Sequence, residues 1–194
     1  MPGLERGEQA ARRIGDLVDG AIERRLVRRR GPREAAISTA SIRATLKNFK
    51  GVEHRLEFAR EVNGVVYVND SKATNVDSVW YALQSFDRPI VLLLGGRDKG
   101  NDYSRLFDLV KQHVKGIVAI GESADKVISA FGQLVAVKKS TSMGEAVESA
   151  SAMAARGDVV LLSPACASFD WFENYEHRGR VFKQLVAELP GKAL

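Results

Sequence analysis

Cysteine, proline and histidine are scarce in this sequence of 194 residues, and long apolar runs are absent. The one cysteine, Cys166, has no partner for an internal disulfide, so the chain is expected in a reducing compartment. No apolar run approaches the roughly 20 residues that a membrane-spanning helix requires, and no N-terminal stretch has the pattern of a secretory signal. The sequence therefore predicts a cytoplasmic protein without a membrane partner.

The net charge of +5 is unevenly distributed. Residues 1–40 carry nine arginines against six acidic residues, whereas the rest of the chain carries 20 basic against 18 acidic residues. RNA binding through the Arg-rich N-terminal segment is therefore an alternative function to consider. The acidic residues of this segment, and the absence of any aromatic residue before Phe49, argue against nucleic acid as a partner.

Three segments follow one another along the chain. Residues 1–36 predict a basic helical extension, within which residues 8–30 place apolar side chains at helical spacing. Residues 37–53 predict a linker helix that begins near Ser38. Residues 54–194 predict the main domain.

Strands and helices alternate in the main domain. The stretch "HRLEFAREVNGVVYVND" predicts two strands joined by Asn63-Gly64, a strong hairpin signal. The runs "PIVLLLGG", "GIVAIG", "LVAVK" and "DVVLLSP" are continuously apolar, as in parallel strands covered on both faces, and helical patterns lie between them. The sequence therefore predicts an α/β, doubly wound, Rossmann-like fold: a mainly parallel sheet with an antiparallel hairpin strand at one edge, preceded by an N-terminal helical segment.

Three loops that follow predicted strands carry chemically active side chains. They are "NDSKATN" (69–75), "GGRDKGND" (95–102) and "SPACAS" (163–168), and each opens a helix. In parallel sheets, ligands bind beyond the carboxyl ends of the strands, where amides at helix starts attract anions. Positive side chains strengthen the prediction of a ligand with several negative oxygens, and these are Lys72, Arg97 and Lys99.

Each loop also has a purely structural interpretation. The polar residues from Asp70 onwards can cap a helix, with Thr74 or Asn75 as the N-cap residue. The pair Gly95-Gly96 can form a tight turn between a strand and a helix. Cys166 is better explained as a small buried side chain than as a nucleophile, because no histidine is spaced to activate it. Spacing alone does not decide between capping and binding for the first two loops.

Two nucleotide-binding signatures are missing from the sequence. No G-x-x-x-x-G-K-[ST] phosphate loop occurs, and the lysine of "GGRDKGND" is followed by glycine rather than by a hydroxyl residue that could hold magnesium. A G-x-G-x-x-G fingerprint is missing as well. His54 and His177 lack the spacing of metal ligands, so no metal site is expected in this chain.

Four motifs carry a resemblance to a known family. They are "GVEHRLEF", "NDSKATNVDS", "LLLGGRDKGNDYS" and "LLSPACASFDWFENYEHRG". In this order and at roughly these separations they resemble the C-terminal, amino-acid-binding domain of the bacterial Mur ligase family, in its D-glutamate-adding branch. The resemblance runs from about Ile37 or Ser38 to Leu189, and residues 1–36 do not share it.

The resemblance implies the chemistry of an ATP-dependent amide-bond ligase of peptidoglycan precursor synthesis. Such an enzyme phosphorylates the carboxylate of UDP-N-acetylmuramoyl-L-alanine with ATP. The amine of D-glutamate then attacks the acyl phosphate, which gives an amide, ADP and phosphate. The C-terminal domain brings the amino acid to this reaction.

The resemblance also implies roles for individual residues, although it makes none of them a certain catalytic residue. The predicted nucleotide contacts are Arg55 and Asp70. The predicted D-glutamate contacts are Lys99, Thr74, Ser168, the backbone at Phe169, the aromatic Tyr175, and Lys72, which lies between the two groups. The family commonly has phenylalanine at the position of Tyr175.

The phosphate loop, the magnesium ligands and the UDP-binding domain of such ligases have no counterpart in this sequence. ATP and Mg²⁺ are thus expected as cofactors of a complete enzyme, with the magnesium ligands outside this chain. We expect no ligase turnover from the chain alone. A non-catalytic module that binds D-glutamate or a nucleotide is the second alternative function.

Overall fold

The computed structural model describes residues 51–191. The described fold belongs to a compact unit that begins at Glu53. The predicted basic extension (1–36) and nearly all of the predicted linker helix (37–53) lie outside the described residues. The same holds for the RNA-binding hypothesis, which depends on residues 8–30.

Six strands and five helices make up the described part of the chain. The strands are β1 (Glu57–Val62), β2 (Val65–Asn69), β3 (Ile90–Gly95), β4 (Val114–Ile120), β5 (Ala136–Lys139) and β6 (Val159–Leu162). The helices are α1 (Val76–Leu83), α2 (Phe107–His113), α3 (Ala124–Phe131), α4 (Met143–Met153) and α5 (Tyr175–Glu188). A short 3₁₀ turn, Ser104–Leu106, leads into α2.

The strands form one sheet in the order β1-β2-β6-β3-β4-β5. Strand β1 pairs antiparallel with β2 across the Asn63-Gly64 turn, where φ is 54° and 80°, the positive values that a tight hairpin turn of this kind needs. All other neighbouring strands are parallel. The predicted mainly parallel sheet with an antiparallel hairpin strand at its edge is confirmed.

Helices cover both faces of the sheet, which explains the continuously apolar strands. Strands β2, β3 and β6 are buried along their whole length. On one face they pack against α1, α2 and α3, and on the other against α4 and α5. The fold is therefore doubly wound, as predicted, and β6 is inserted between β2 and β3.

Side-chain caps define where several helices begin. Asn75 accepts a hydrogen bond from the Ser78 amide (2.8 Å), and Asn174 accepts one from the His177 amide (2.7 Å). Such caps satisfy amides that the first helical turn leaves without partners. The last helix was expected directly after Ser168 but begins after the Asn174 cap, so Trp171 and Phe172 lie in the preceding irregular segment.

None of the helices within residues 51–191 is long and apolar enough to cross a membrane.

Candidate functional site

The three loops predicted to bind a ligand, residues 69–75, 95–102 and 163–168, lie side by side at the carboxyl edge of the sheet. They follow β2, β3 and β6, and β6 is hydrogen-bonded to both of the other strands. In the sheet register, Leu162 at the end of β6 lies opposite Asn69 on one side and Leu93 on the other. The connections that leave β2 and β6 run to opposite faces of the sheet, and such a switch point is where parallel sheets bind ligands.

Backbone hydrogen bonds join the three loops. The Asp70 amide donates to the Leu162 carbonyl (2.8 Å), and the Gly95 amide donates to the Pro164 carbonyl (2.9 Å). One step further, the Arg97 amide donates to the Ala167 carbonyl (2.9 Å). The loops thus form a continuous layer beyond the strands, and their side chains project from a defined backbone.

The first loop presents a lysine and a threonine. Its backbone turns tightly, because the Ala73 amide donates to the Asp70 carbonyl and the Thr74 amide to the Lys72 carbonyl, both at 2.9 Å. The Lys72 ammonium lies 5.1 Å from the centroid of the Tyr175 ring, in a cation–π contact. The Thr74 hydroxyl makes no hydrogen bond with any residue in the described range. Asn75, not Thr74, caps α1, so the threonine side chain is available to a ligand.

Asp70 is almost fully buried at the start of the same loop. Its carboxylate accepts hydrogen bonds from the Ser163 hydroxyl (2.7 Å) and, at 3.3 Å, from the Leu56 amide. Burial raises the pKa of Asp70 to about 6, although these two hydrogen bonds and the nearby Arg55 charge act in the opposite direction. Of the two residues predicted to contact the nucleotide, Arg55 thus has an exposed guanidinium and Asp70 has a largely buried carboxyl group.

The second loop approaches the third too closely for a side chain at Gly96. This residue has φ of 138°, and a Cβ atom would lie 2.4 Å from the Ala167 carbonyl oxygen. Lys99 is exposed and forms no ion pair with a carboxylate among residues 51–191. Arg97, which the sequence also predicted as an anion-binding charge, instead forms a salt bridge with Glu122 at 3.1 Å.

The third loop presents one free hydroxyl in a buried position. Ser168 is 2% exposed, its carbonyl accepts hydrogen bonds from the Trp171 and Phe172 amides, and its hydroxyl has no hydrogen bond within the described chain. The neighbouring Phe169 side chain is 60% exposed. Cys166 is fully buried, which agrees with its interpretation as a small core residue.

Two buried side chains at this edge were missed by the sequence reasoning. Arg178, on the first turn of α5, is 1% exposed and contacts the first and third loops. His54 is 2% exposed, and its Nδ1 accepts a hydrogen bond from the side-chain Nδ2 of Asn69 (2.9 Å). The His54 ring meets Tyr175 edge-on at 5.9 Å between centroids, and burial lowers its pKa.

His54 also lies in a cluster of side chains of the types that can bind a metal ion. Its ring and the carboxylates of Glu53 and Glu57 offer atoms within 4.8 Å of one another. The Lys183 ammonium, however, contacts both carboxylates, at 2.9 and 2.8 Å. Mg²⁺ prefers six oxygen ligands, so a group of two carboxylates that both contact a lysine ammonium does not fit this ion.

Comparison with known families decides where this chain belongs. The profile of the family "Mur ligase, glutamate ligase domain" matches residues 54–166, more than half of the chain. This chain belongs to the Mur ligase family. The match contains the first two loops and most of the third.

Curated relatives agree with this assignment. Proteins named UDP-N-acetylmuramoylalanine–D-glutamate ligase are 57% identical in Chloroherpeton thalassium (over 76% of this chain and 32% of the relative) and 56% identical in Salinibacter ruber (76% and 32%). The protein of that name in Bacteroides thetaiotaomicron is 50% identical, over 80% and 35%. The chain spans about a third of the length of the curated relatives it matches.

Solved Mur ligases and related synthases share the fold. UDP-N-acetylmuramate-alanine ligase MurC of Thermotoga maritima superposes with a TM-score of 0.56 at 16% identity, over 78% of this chain and 34% of that protein. The bifunctional folylpolyglutamate synthase/dihydrofolate synthase of Yersinia pestis gives 0.57 at 18% identity, over 79% and 36%. At these identities the likeness concerns the fold alone.

Proposed function

We propose that this chain is the D-glutamate-binding part of a MurD-type ligase, which uses ATP to join D-glutamate to UDP-N-acetylmuramoyl-L-alanine in peptidoglycan precursor synthesis. The observation that carries the proposal is the convergence of three loops, from adjacent strands, that present unpaired ammonium and hydroxyl groups at one edge of the sheet. The relatives at 50–57% identity carry the name of this activity. The proposal places the chain in the cytoplasm, where ATP is available.

The free groups suit the acceptor amino acid. D-Glutamate has two carboxylates, and charge-assisted hydrogen bonds from ammonium groups to carboxylates are stronger than bonds between neutral groups. In the proposed site, Lys99 and Lys72 supply the positive charge, Thr74 and Ser168 donate hydroxyl hydrogen bonds, and the Tyr175 ring borders the aliphatic chain. The Phe169 amide adds a backbone donor. One solved structure of the shared fold, a folylpolyglutamate synthase/dihydrofolate synthase, has L-glutamate, AMPPNP and Mn bound.

The nucleotide is proposed to approach from the side of Arg55 and Asp70. An exposed guanidinium suits phosphate oxygens, and a carboxyl group suits sugar hydroxyls. When bound, ATP with its divalent ion supplies the phosphoryl group that activates the carboxylate of the other substrate. Residues 51–191 contain no phosphate loop and no oxygen-rich cluster suited to Mg²⁺, so those ligands are proposed to come from outside this chain.

In this arrangement the chain contributes positioning. Forming the amide requires the D-glutamate nitrogen to lie close to the activated carbonyl, and holding two reactants in such geometry accounts for a large share of many enzymatic rate enhancements. Gripping both carboxylates fixes the amino acid and leaves its amine free. The family match does not favour the two alternatives, a non-catalytic binding module and an RNA-binding protein.

Isothermal titration of D-glutamate into the full 194-residue chain tests the proposal, with L-glutamate titrated in parallel. We expect binding of D-glutamate that is at least about tenfold tighter than that of L-glutamate, and a loss of about tenfold or more in Lys99→Ala and in Ser168→Ala. Lys111→Ala is the matched control, because Lys111 is an exposed lysine of α2 near the opposite, amino-terminal edge of the sheet. Equal binding of the two enantiomers, no heat at millimolar D-glutamate, or unchanged binding in Lys99→Ala would each contradict the proposal.

A further inference from the structure

Arg178 is the largest side chain among those that are almost completely enclosed. It lies in the first turn of α5 and is 1% exposed. Burying a charged group is strongly unfavourable unless other groups compensate for the lost water. A buried guanidinium at the edge of the proposed site therefore needs an explanation.

All hydrogen bonds of this guanidinium go to neutral oxygen atoms. Nε donates to the Ser71 hydroxyl (2.9 Å) and Nη2 to the Ser71 carbonyl (2.8 Å). Nη1 donates to the carbonyls of Cys166 (3.1 Å) and Ala167 (3.4 Å). Within the described chain, no carboxylate forms a salt bridge with Arg178, so its hydrogen bonds are satisfied while its charge is not neutralised by contact.

One acid acts on Arg178 without forming a salt bridge with it. The charge of Asp170 favours the charged form of Arg178, while its carboxylate accepts a hydrogen bond from the Glu122 amide at 3.0 Å. Burial lowers the pKa of Arg178 to about 10, which still leaves the side chain protonated at neutral pH. The guanidinium is therefore a permanent positive charge beneath the loops.

The hydrogen bonds of Arg178 reach the first and third loops immediately beside predicted site residues. Ser71 precedes Lys72 in the first loop, and Ala167 precedes Ser168 in the third. The Ser71 hydroxyl also donates to the Tyr175 carbonyl (2.8 Å), which ties the first loop to the start of α5. In the second loop, a Cβ atom at Gly96 would lie 3.3 Å from Nη1.

We propose that Arg178 is a positioning residue of the acceptor site. It holds the first and third loops in one register against α5, and its charge, which no salt bridge among residues 51–191 neutralises, favours an anionic ligand above them. The inference rests on the proposed function for the identity of that ligand, D-glutamate. Arg178 does not itself touch the substrate, because its donors are occupied by loop oxygens.

Three variants of the full chain separate two effects of Arg178: the hydrogen bonds that tie the first and third loops together, and its positive charge. Arg178→Lys keeps the charge but cannot donate to both loops with the fixed fork of a guanidinium, and Arg178→Gln removes the charge. Ser71→Ala removes the two hydrogen bonds of the Ser71 hydroxyl, from Arg178 Nε and to the Tyr175 carbonyl, and keeps the proposal testable if either Arg178 variant fails to fold. Arg60→Lys is the matched control, because Arg60 Nη1 donates to backbone carbonyls of Val186 (3.2 Å) and Leu189 (3.3 Å) at the other end of the same helix.

Amide hydrogen exchange without ligand tests the tie. In Arg178→Lys we expect exchange at the Lys72, Ala73 and Arg97 amides to accelerate about tenfold or more, the change that losing roughly one net hydrogen bond produces. Amides of strand β4, which lies between β3 and β5, should keep their protection, and Ser71→Ala should show the same pattern with a smaller amplitude. Unchanged loop exchange in Arg178→Lys, or an equal effect in Arg60→Lys, would overturn the inference.

Titration of D-glutamate tests the charge. We expect the dissociation constant to rise about tenfold in Arg178→Lys and further in Arg178→Gln, with no rise in Arg60→Lys. If the unmodified chain binds D-glutamate and both Arg178 variants bind it equally well, the inference fails and the proposed function stands. If the loops loosen as expected but the unmodified chain does not bind D-glutamate, the assignment of the ligand fails and the tie between the loops stands.

Discussion

Asp70 carries a carboxyl group whose ionisation the fold opposes. Burial raises its pKa from 3.8 to about 6, so the folded chain holds this proton more tightly than the unfolded chain does. The contribution to stability is fully present below pH 3.8 and is lost as the pH rises through 6. Ionised Asp70 therefore destabilises the folded chain at neutral pH, and Asp70→Asn should remove that effect.

The size of the effect follows from the pKa difference. A shift from 3.8 to about 6 is about 2 pH units, and each unit corresponds to about 1.4 kcal/mol, so the total is about 3 kcal/mol. We expect the free energy of unfolding of Asp70→Asn, relative to the unmodified chain, to rise by about this amount between pH 4 and pH 7. A constant offset is also expected, because the asparagine oxygen can accept from the Ser163 hydroxyl while its amide group faces the Leu56 amide.

Urea unfolding at half-unit steps from pH 4 to pH 7.5 measures this difference. Asp108→Asn on α2, at an exposed position, is the control and should follow the unmodified chain at every pH. Burial lowers the pKa of His54, so its contribution to the free energy of unfolding is lost as the pH falls below 6.5. His54 is present in all three proteins, so this contribution cancels when they are compared. A difference that stays within about 0.5 kcal/mol across the range, or that falls as the pH rises, would refute the assigned burial of this carboxyl group.

Three further substitutions, of which Gly100→Ala is a control, test the loops of the site and the cap of α1. Gly96→Ala should lower the free energy of unfolding by at least about 2 kcal/mol, because its φ is 138° and the new Cβ would lie 2.4 Å from the Ala167 carbonyl oxygen. Gly100→Ala, at φ of 82° with open space around it, should cost about 1 kcal/mol, and equal losses in the two variants would refute the steric argument. Asn75→Ala should lower stability by about 1 kcal/mol in thermal unfolding through loss of the bond to the Ser78 amide, and an unchanged Tm would show that the cap is dispensable.

Local patterns in the sequence predicted the elements well, but no order of the strands followed from them. The Asn63-Gly64 turn and the continuous apolar runs depend on neighbours along the chain, so the hairpin and the parallel strands were predictable. The insertion of β6 between β2 and β3 depends on which faces the last two helices cover. No pattern within β6 specifies this position. The three loops were therefore predictable at one edge of the sheet, but not as neighbours.

Charged side chains show the same limit. Arg97 was expected to attract an anion, but Glu122, which is 25 positions away in sequence, meets it at 3.1 Å. His54 lacks metal-ligand spacing relative to the other histidines, yet it lies beside Glu53 and Glu57, which both form salt bridges with Lys183. In both cases a salt bridge to a residue distant in sequence determines what the side chain binds. Spacing along the chain does not show which partners another element brings close.

Arg178 escaped prediction for a related reason, since arginines of amphipathic helices are ordinarily exposed. Its partners are neutral loop oxygens, and a neutral amide could donate to some of them without burying a charge. The tie between the loops alone therefore does not account for a guanidinium, whereas an anionic ligand above the loops does.

We expect the two Arg178 variants to rank in opposite orders for stability in urea and for affinity for D-glutamate. Arg178→Gln buries no charge, so it should be more stable in urea than Arg178→Lys, which buries a strongly hydrated ammonium. Arg178→Lys retains the positive charge, so it should bind D-glutamate more tightly than Arg178→Gln. If stability and affinity follow the same order in the two variants, the buried charge serves the fold and not the ligand.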